Sequence, residues 1–162
     1  MEKILNEAAW KELSENFKWT EQTLEKYMEK VDWKDISGNR EILWTPSMLE
    51  KFKRLIDWSE LSMIADNQVL LNIDNLEKFK NYWDWSKLSG NLDLELTVEL
   101  IDKFIDLWDW NKLITRYYDN MYTIEFLEKY IDRIPVNKLQ DSALWKKLVE
   151  KRKNELAFEI VS

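Results

Sequence analysis

The residues of this chain that could do acid–base or metal chemistry are carboxylates, lysines and tyrosines, because its 162 residues include no histidine and no cysteine. That removes the commonest general base and metal ligand, along with any thiolate nucleophile, disulfide or cysteine-held zinc. Two carboxylates facing each other across a cleft could hydrolyse a glycosidic bond. Here the carboxylates follow a period instead. Glu25, Glu50, Glu77, Asp102 and Glu128 each precede a lysine, and Asp32, Asp57, Asp84 and Asp109 each precede a tryptophan. A group that recurs in every unit serves the unit first, so no enzyme activity is expected. Asn91, Asp93 and Glu95 alternate like the oxygen ligands of a calcium loop, but the glycine at position six and the glutamate at position twelve are missing. With two glycines in the chain there is no phosphate-binding loop. Neither a metal nor a cofactor is expected.

The elements that hold these residues repeat. Leu-Glu-Lys-aromatic, or a close variant, ends at Tyr27, Phe52, Phe79, Phe104 and Tyr130, at spacings of 25, 27, 25 and 26 residues. Six residues after each aromatic stand Trp33, Trp58, Trp85, Trp110 and, in the last copy, Val136. A period of this length means stacked units, none of which buries its apolar face alone. Seven residues before each aromatic stand Thr20, Thr45, Asn72, Thr97 and Thr123, whose side-chain oxygens suit helix N-caps. Trp19, Trp44, Leu71, Leu96 and Tyr122 precede the caps, and Leu24, Leu49, Leu76, Ile101 and Leu127 follow four residues after them. That pairing is a hydrophobic staple. Pro46 takes the first helical position, where its missing donor costs nothing.

Apolar positions spaced by three and four predict a first helix of about three turns. The Glu-Lys pairs point off its stripe and read as a solvated face. Asp32, Asp57, Asp84 and Asp109 predict caps of a short second helix, whose column pairs Trp33 with Ile36, Trp58 with Leu61, Trp85 with Leu88 and Trp110 with Leu113. Val136 and Leu139 are expected to continue that column, with Pro135 in place of the aspartate. The copies differ in length only between this column and the next cap, which marks a surface loop. Stretches such as 41–44 and 68–71 are expected to be loops or helical turns, with a leucine-rich-repeat-like strand as the alternative. The expected fold is all-α, a short right-handed α-solenoid of about five long-helix/short-helix repeats forming one domain. Residues 1–18 are its N-terminal cap, 19–141 its repeats and 142–162 a C-terminal capping helix.

The pattern Thr-x-x-x-Leu-Glu-Lys-aromatic followed by Asp-Trp-x-x-Leu-Ser, in Trp44 to Ser62 and with asparagine as the cap in Asn72 to Ser89, resembles Trp-rich short tandem repeats of about 26 residues. Such repeats occur in uncharacterised bacterial and large-DNA-virus proteins. The resemblance spans roughly Trp10 to Leu139 and implies a scaffold with no catalytic residues to carry over. Ile114 replaces the serine and Pro135-Val136 the Asp-Trp in the last copy, where the pattern weakens.

Charge narrows the partners. The net charge is -7: from Trp145 onward the chain carries +2, and the remainder carries -9. An acidic body repels a phosphate backbone and steers toward basic protein surfaces. The expected function is therefore a protein-binding repeat module, an inhibitor or antidote-type protein that occupies a basic, nucleic-acid-handling partner. A phage-encoded blocker of a defence nuclease or a toxin immunity protein fits that description. The alternative is RNA binding through stacked aromatics and the basic last helix. Candidate contact residues are those that break the repeat: Arg40, Met63, Trp83, Trp108, Arg116, Tyr117 and Tyr118, with Lys146, Lys147 and Arg152 on the last helix. Trp83 and Trp108 share the column of Val31, Ile56 and Ile134, which favours packing for them. The acidic, polar start lacks the apolar run of a secretion signal, and no stretch is long enough to span a membrane. A cytoplasmic monomer is expected.

Overall fold

Five N-caps in register start five helices. Thr20 accepts the backbone N–H of Thr23 at 3.2 Å, Thr45 that of Met48 at 3.2 Å, and Asn72 that of Asn75 at 3.0 Å. Thr97 and Thr123 do the same for Leu100 and Phe126, both at 3.1 Å. Each bond satisfies one of the orphan amides at a helix start. The structure is a computed structural model that describes every residue except Asp66, Tyr118 and Asp119, and leaves the side chains of Asn67 and Gln68 undescribed.

The chain divides into two compact units, Met1–Leu94 and Glu95–Ser162. The first unit opens with α1 (Glu2–Asn16), then pairs α2 (Glu21–Tyr27) with α3 (Trp33–Gly38) and α4 (Pro46–Phe52) with α5 (Trp58–Ile64). The short α6 (Asn67–Leu70) follows, and α7 (Ile73–Lys78) pairs with α8 (Trp85–Gly90). The second unit pairs α9 (Val98–Lys103) with α10 (Trp110–Thr115) and α11 (Ile124–Tyr130) with α12 (Val136–Leu139), and ends in α13 (Ala143–Val161). The fold is all-α, five repeated helix pairs with no strand among the described residues. The stretches read as loops or helical turns are that: 41–44 is a loop, and α6 fills the longest of the insertions.

The first helix of each pair is shorter than expected, at six or seven residues, about two turns. Regular helix ends at the repeat aromatic, because the next turn tightens around that residue's carbonyl. Tyr27 O accepts from both Lys30 and Val31, Phe52 O from Leu55 and Ile56, and Phe79 O from Tyr82 and Trp83. The carbonyl one residue further is then taken by the indole N–H of the column tryptophan: Trp33 donates to Met28 O at 3.0 Å, Trp58 to Lys53 O at 2.9 Å, Trp85 to Lys80 O at 2.8 Å and Trp110 to Ile105 O at 3.2 Å. This explains the invariant six-residue spacing from aromatic to tryptophan. The tryptophan caps the carbonyl end of the helix before it.

In the first unit α1 packs on α3, α3 on α5 and α5 on α8, so α1 stands where a preceding repeat would place its short helix. A serine joins each step. The Ser14 hydroxyl donates to Trp10 O at 2.8 Å and accepts the Asp32 N–H at 3.0 Å. Ser37 donates to Trp33 O at 2.6 Å and accepts from Asp57 at 2.8 Å, and Ser62 accepts from Asp84 at 3.0 Å. These serines are fully buried.

In the second unit the last copy departs from this plan. Val136, expected in the column, is 76% exposed, and α13 packs on α10. Valine has no indole N–H to place on the preceding carbonyl. Ile114, at the serine's position, is fully buried without a hydroxyl, and Pro135, at the aspartate's position, has no N–H to donate. Acceptor and donor are lost together, so the substitution pair leaves no orphan amide. Ser142 caps α13 by accepting the Trp145 N–H at 3.1 Å, and Leu144 is fully buried. Beyond the first two turns every residue of α13, and Ser162 after it, is exposed.

Candidate functional site

The recurrent aromatics are engaged within the repeats. Trp10 lies 5.6 Å from Tyr27 between ring centroids, Trp33 5.1 Å from Phe52, Trp58 5.6 Å from Phe79 and Trp110 5.2 Å from Tyr130. Each tryptophan packs on the aromatic of the following repeat at separations that favour tilted ring pairs. The lysine before the aromatic lies over its ring: Lys26 at 5.1 Å, Lys78 at 5.2 Å, Lys103 at 5.8 Å and Lys129 at 5.4 Å.

The Glu-Lys pairs are exposed, as expected of a solvated face, but they also join repeats. Lys51 contacts Glu21 at 2.7 Å and Glu25 at 3.1 Å, and Lys78 contacts Glu50 at 3.2 Å. In the second unit Lys129 contacts Asp102 at 2.7 Å, and Arg133 pairs with Asp106. The lysine hydrogen bond holds the Glu21 carboxyl below the usual range, and Lys53 and Lys78 do the same for Glu50. Asp102 is lowered by Lys129 and then by the Tyr130 hydroxyl, which donates to it at 2.9 Å. Burial, reinforced by that bond, pushes the Tyr130 hydroxyl well above the usual phenol range. Asp35 moves the other way: burial and the charges of Asp32 and Glu15 raise it.

The candidate contact residues separate into two groups. Trp83 and Trp108 are buried, with ring N–H groups donating to Asn75 O at 3.4 Å and Ile101 O at 3.2 Å. Packing is their role, as the column favours, and neither presents a face to a partner. Arg116, expected on a loop surface, is also buried, 5% exposed at the end of α10. It is the C-cap of that helix, with extended backbone. Tyr117 is 67% exposed, and Tyr118 lies outside the described residues. Arg40, Met63, Lys146, Lys147 and Arg152 are exposed, with Arg152 held by Glu155 at 3.1 Å and Glu159 at 3.7 Å.

Arg40 borders a concave surface. In the first unit the 39–45 loop, the end of α5 and α6 line an apolar groove, with Arg40, Leu43, Trp44, Ile64, Val69 and Leu70 among its walls. Leu43 is 73% exposed at its lip, between buried Ile42 and Trp44. Among the described residues the buried Trp44 indole N–H finds no acceptor, whereas Trp19, at the same repeat position, donates to Leu13 O at 2.8 Å. The groove therefore presents a guanidinium and a projecting leucine. It has no arrangement of acid and base, and no group of three or more Asp or Glu among the described residues could hold a metal.

Sequence reasoning missed two residues that build this edge. Asn39 and Asn91, both buried, clamp their loops to the preceding helix end. Asn39 donates to Ser14 O at 2.8 Å and Phe17 O at 2.9 Å, and Asn91 to Ser62 O at 3.0 Å and Ala65 O at 2.8 Å. Each side-chain oxygen also accepts an N–H two residues on, from Glu41 at 2.8 Å and Asp93 at 2.9 Å. The signal was present: Ser-Gly-Asn occurs at 37–39 and again at 89–91. For the same reason Asn91 serves the loop turn, not a cation.

The class these features define is an all-α tandem-repeat protein whose repeat residues serve its own packing. No family model, no curated protein and no solved structure matches the chain. No helix among the described residues is long and apolar enough to cross a membrane.

Proposed function

We propose that this protein is a non-catalytic binding module that occupies the surface of a basic protein partner, with the 39–45 edge of its first unit as the contact. The observation that carries the reading is Leu43, a large apolar side chain 73% exposed at the lip of a groove and flanked by Arg40. Arginine is among the residue types enriched at interface hot spots, and the exposed leucine beside it supplies apolar area to bury. The acidic body supplies steering toward a basic partner, so the groove provides affinity and the charge provides encounter rate. An inhibitor or antidote role, in which binding itself is the activity, suits a chain whose repeated carboxylates and lysines pair with each other.

Support for a protein partner over RNA comes from the aromatics. The column tryptophans stack on their own neighbours and leave no free ring ladder for bases, and Arg152 on the basic helix is already paired. The test is affinity capture from lysate of the native host, with wild type beside Leu43→Asp and Arg40→Glu. The expected result is one protein recovered in stoichiometric amount by wild type and lost from both variants. Recovery of nucleic acid alone, falling steeply with salt, would overturn the proposal, as would a partner retained equally by all three.

A further inference from the structure

α1 and α13 each leave an apolar stripe in water, and the two stripes carry opposite charge. On α1, Leu5, Ala9 and Leu13 lie four residues apart on one exposed face, and Phe17 continues the line just past the helix end. Ala9, Leu13 and Phe17 share a shallow cleft with Glu12 and Asn16. This face lies opposite Ser14, the residue α1 buries toward the first repeat.

On α13, Val149, Leu156 and Ile160 are spaced by seven and four residues, which keeps them on one exposed side of the helix. Lys146, Arg152 and Lys153 fall on the same side by the same geometry. Arg152 pairs with Glu155 and Lys153 with Glu150 on their own helix, so complementarity rests on Lys146 and on the net charge of each helix. Glu2 and Glu12 flank the α1 stripe in the corresponding way. Over whole helices, α1 has four acidic side chains against two basic, and α13 five basic against three acidic. The stripes also match in length, each covering about 17 Å of helix from Leu5 to Phe17 and from Val149 to Ile160. An unsupported helical segment of this length is marginal in water, so the exposed turns of α13 gain by finding a partner.

We propose that the partner is a second copy of this chain, joined head to tail: α13 of one molecule lies along the outer face of α1 of the next. The contact is heterologous, so a pair of molecules keeps one unused end of each kind, and association can continue beyond the pair. It shares no residue with the groove at Leu43 and stands whether or not that groove binds a partner.

The experiment is sedimentation velocity on the full chain over a range of concentrations and salt. Wild type is expected to form species beyond the dimer as concentration rises, and to dissociate as NaCl is added. Leu5→Glu with Ala9→Glu blocks one end, and Leu156→Glu with Ile160→Glu blocks the other. All four residues are exposed, and circular dichroism checks that helix content is kept. Each double variant alone should be monomeric, its dissociation constant raised roughly thirtyfold or more, the scale of losing central apolar anchors. An equimolar mixture of the two should form a dimer and stop there, because one intact contact remains between them. A wild type that stays monomeric at high concentration overturns the proposal. So does an α1 variant that still dimerises, which would mean α13 pairs with itself, or a mixture that stays monomeric.

Discussion

The hydroxyl of Ser37 sits 2.8 Å from the backbone nitrogen of Asp57, accepting its N–H while donating its own proton to the Trp33 carbonyl at 2.6 Å. One buried side chain thus ties the end of its own short helix to the start of the next. The same bond runs from Asp32 to Ser14 and from Asp84 to Ser62. It sets the step between repeats, because Asp57 itself caps α5 by accepting from Ser59 and Glu60, both at 3.1 Å.

Ser37→Ala should therefore cost about 1–3 kcal/mol, the range for leaving a desolvated amide without its acceptor. The check is urea unfolding, with a lower midpoint and an unchanged slope. Ser47→Ala is the control, since the Ser47 hydroxyl makes only a long, exposed contact with Glu21 at 3.4 Å, and its midpoint should not move. Equal midpoints for the two variants would remove the joint from the account.

The asparagine clamps predict an order of severity. Asn91→Ala loses donors to two buried carbonyls and should destabilise by on the order of 2 kcal/mol. Asn91→Asp should be worse at neutral pH, because a carboxylate would then face the Ser62 and Ala65 carbonyl oxygens. Its deficit should shrink as the pH is lowered and the carboxyl takes up a proton. Thermal unfolding of both variants across pH tests this, and an aspartate variant as stable as wild type would refute it.

Acid should weaken the ion pairs that join repeats. The Glu21, Glu50 and Asp102 carboxyls are held below their ordinary values by Lys51, Lys53 with Lys78, and Lys129 respectively. The unfolded chain therefore takes up protons at these sites first. The stability they contribute is complete above about pH 4, the range of an unfolded carboxylate, and is lost as pH falls through the lowered folded values. Asp102→Asn should flatten this part of the stability–pH curve, and high salt should reduce the effect in wild type. Asp35 works in the opposite sense, because its raised value means that its charged form opposes folding at neutral pH. Asp35→Asn should raise the unfolding temperature at pH 7 and make little difference at pH 3.

Caps were readable from the chain because a cap is a local device: Thr45 and the N–H it accepts are three residues apart, and so are Asp84 and Lys87. The Trp columns were readable for a related reason. Their period needs only a count, and the packing they encode is the same in each copy. The candidate surface was read less well. Arg116 looked like a loop residue because residue type reports what an arginine usually does, and here it is buried at the C-cap of α10. Leu43 looked like one apolar residue among many, and its exposure depends on the alternation of Ile42, Leu43 and Trp44 in a loop with no regular period.

By itself the sequence determined an all-α array of five capped helix pairs, with its repeated charges and aromatics committed to structure. The caps are written in contacts three residues apart, and the period is read by counting along the chain. Tertiary structure alone decided what joins one repeat to the next: serine to aspartate amide, asparagine to the preceding helix end, lysine to the carboxylate one repeat back. Those partners lie 18 to 30 residues apart. Their meeting depends on how the helices stack, which no local pattern encodes. The same is true of the ends, where folding left α1 and the far turns of α13 with apolar faces that no neighbouring repeat covers.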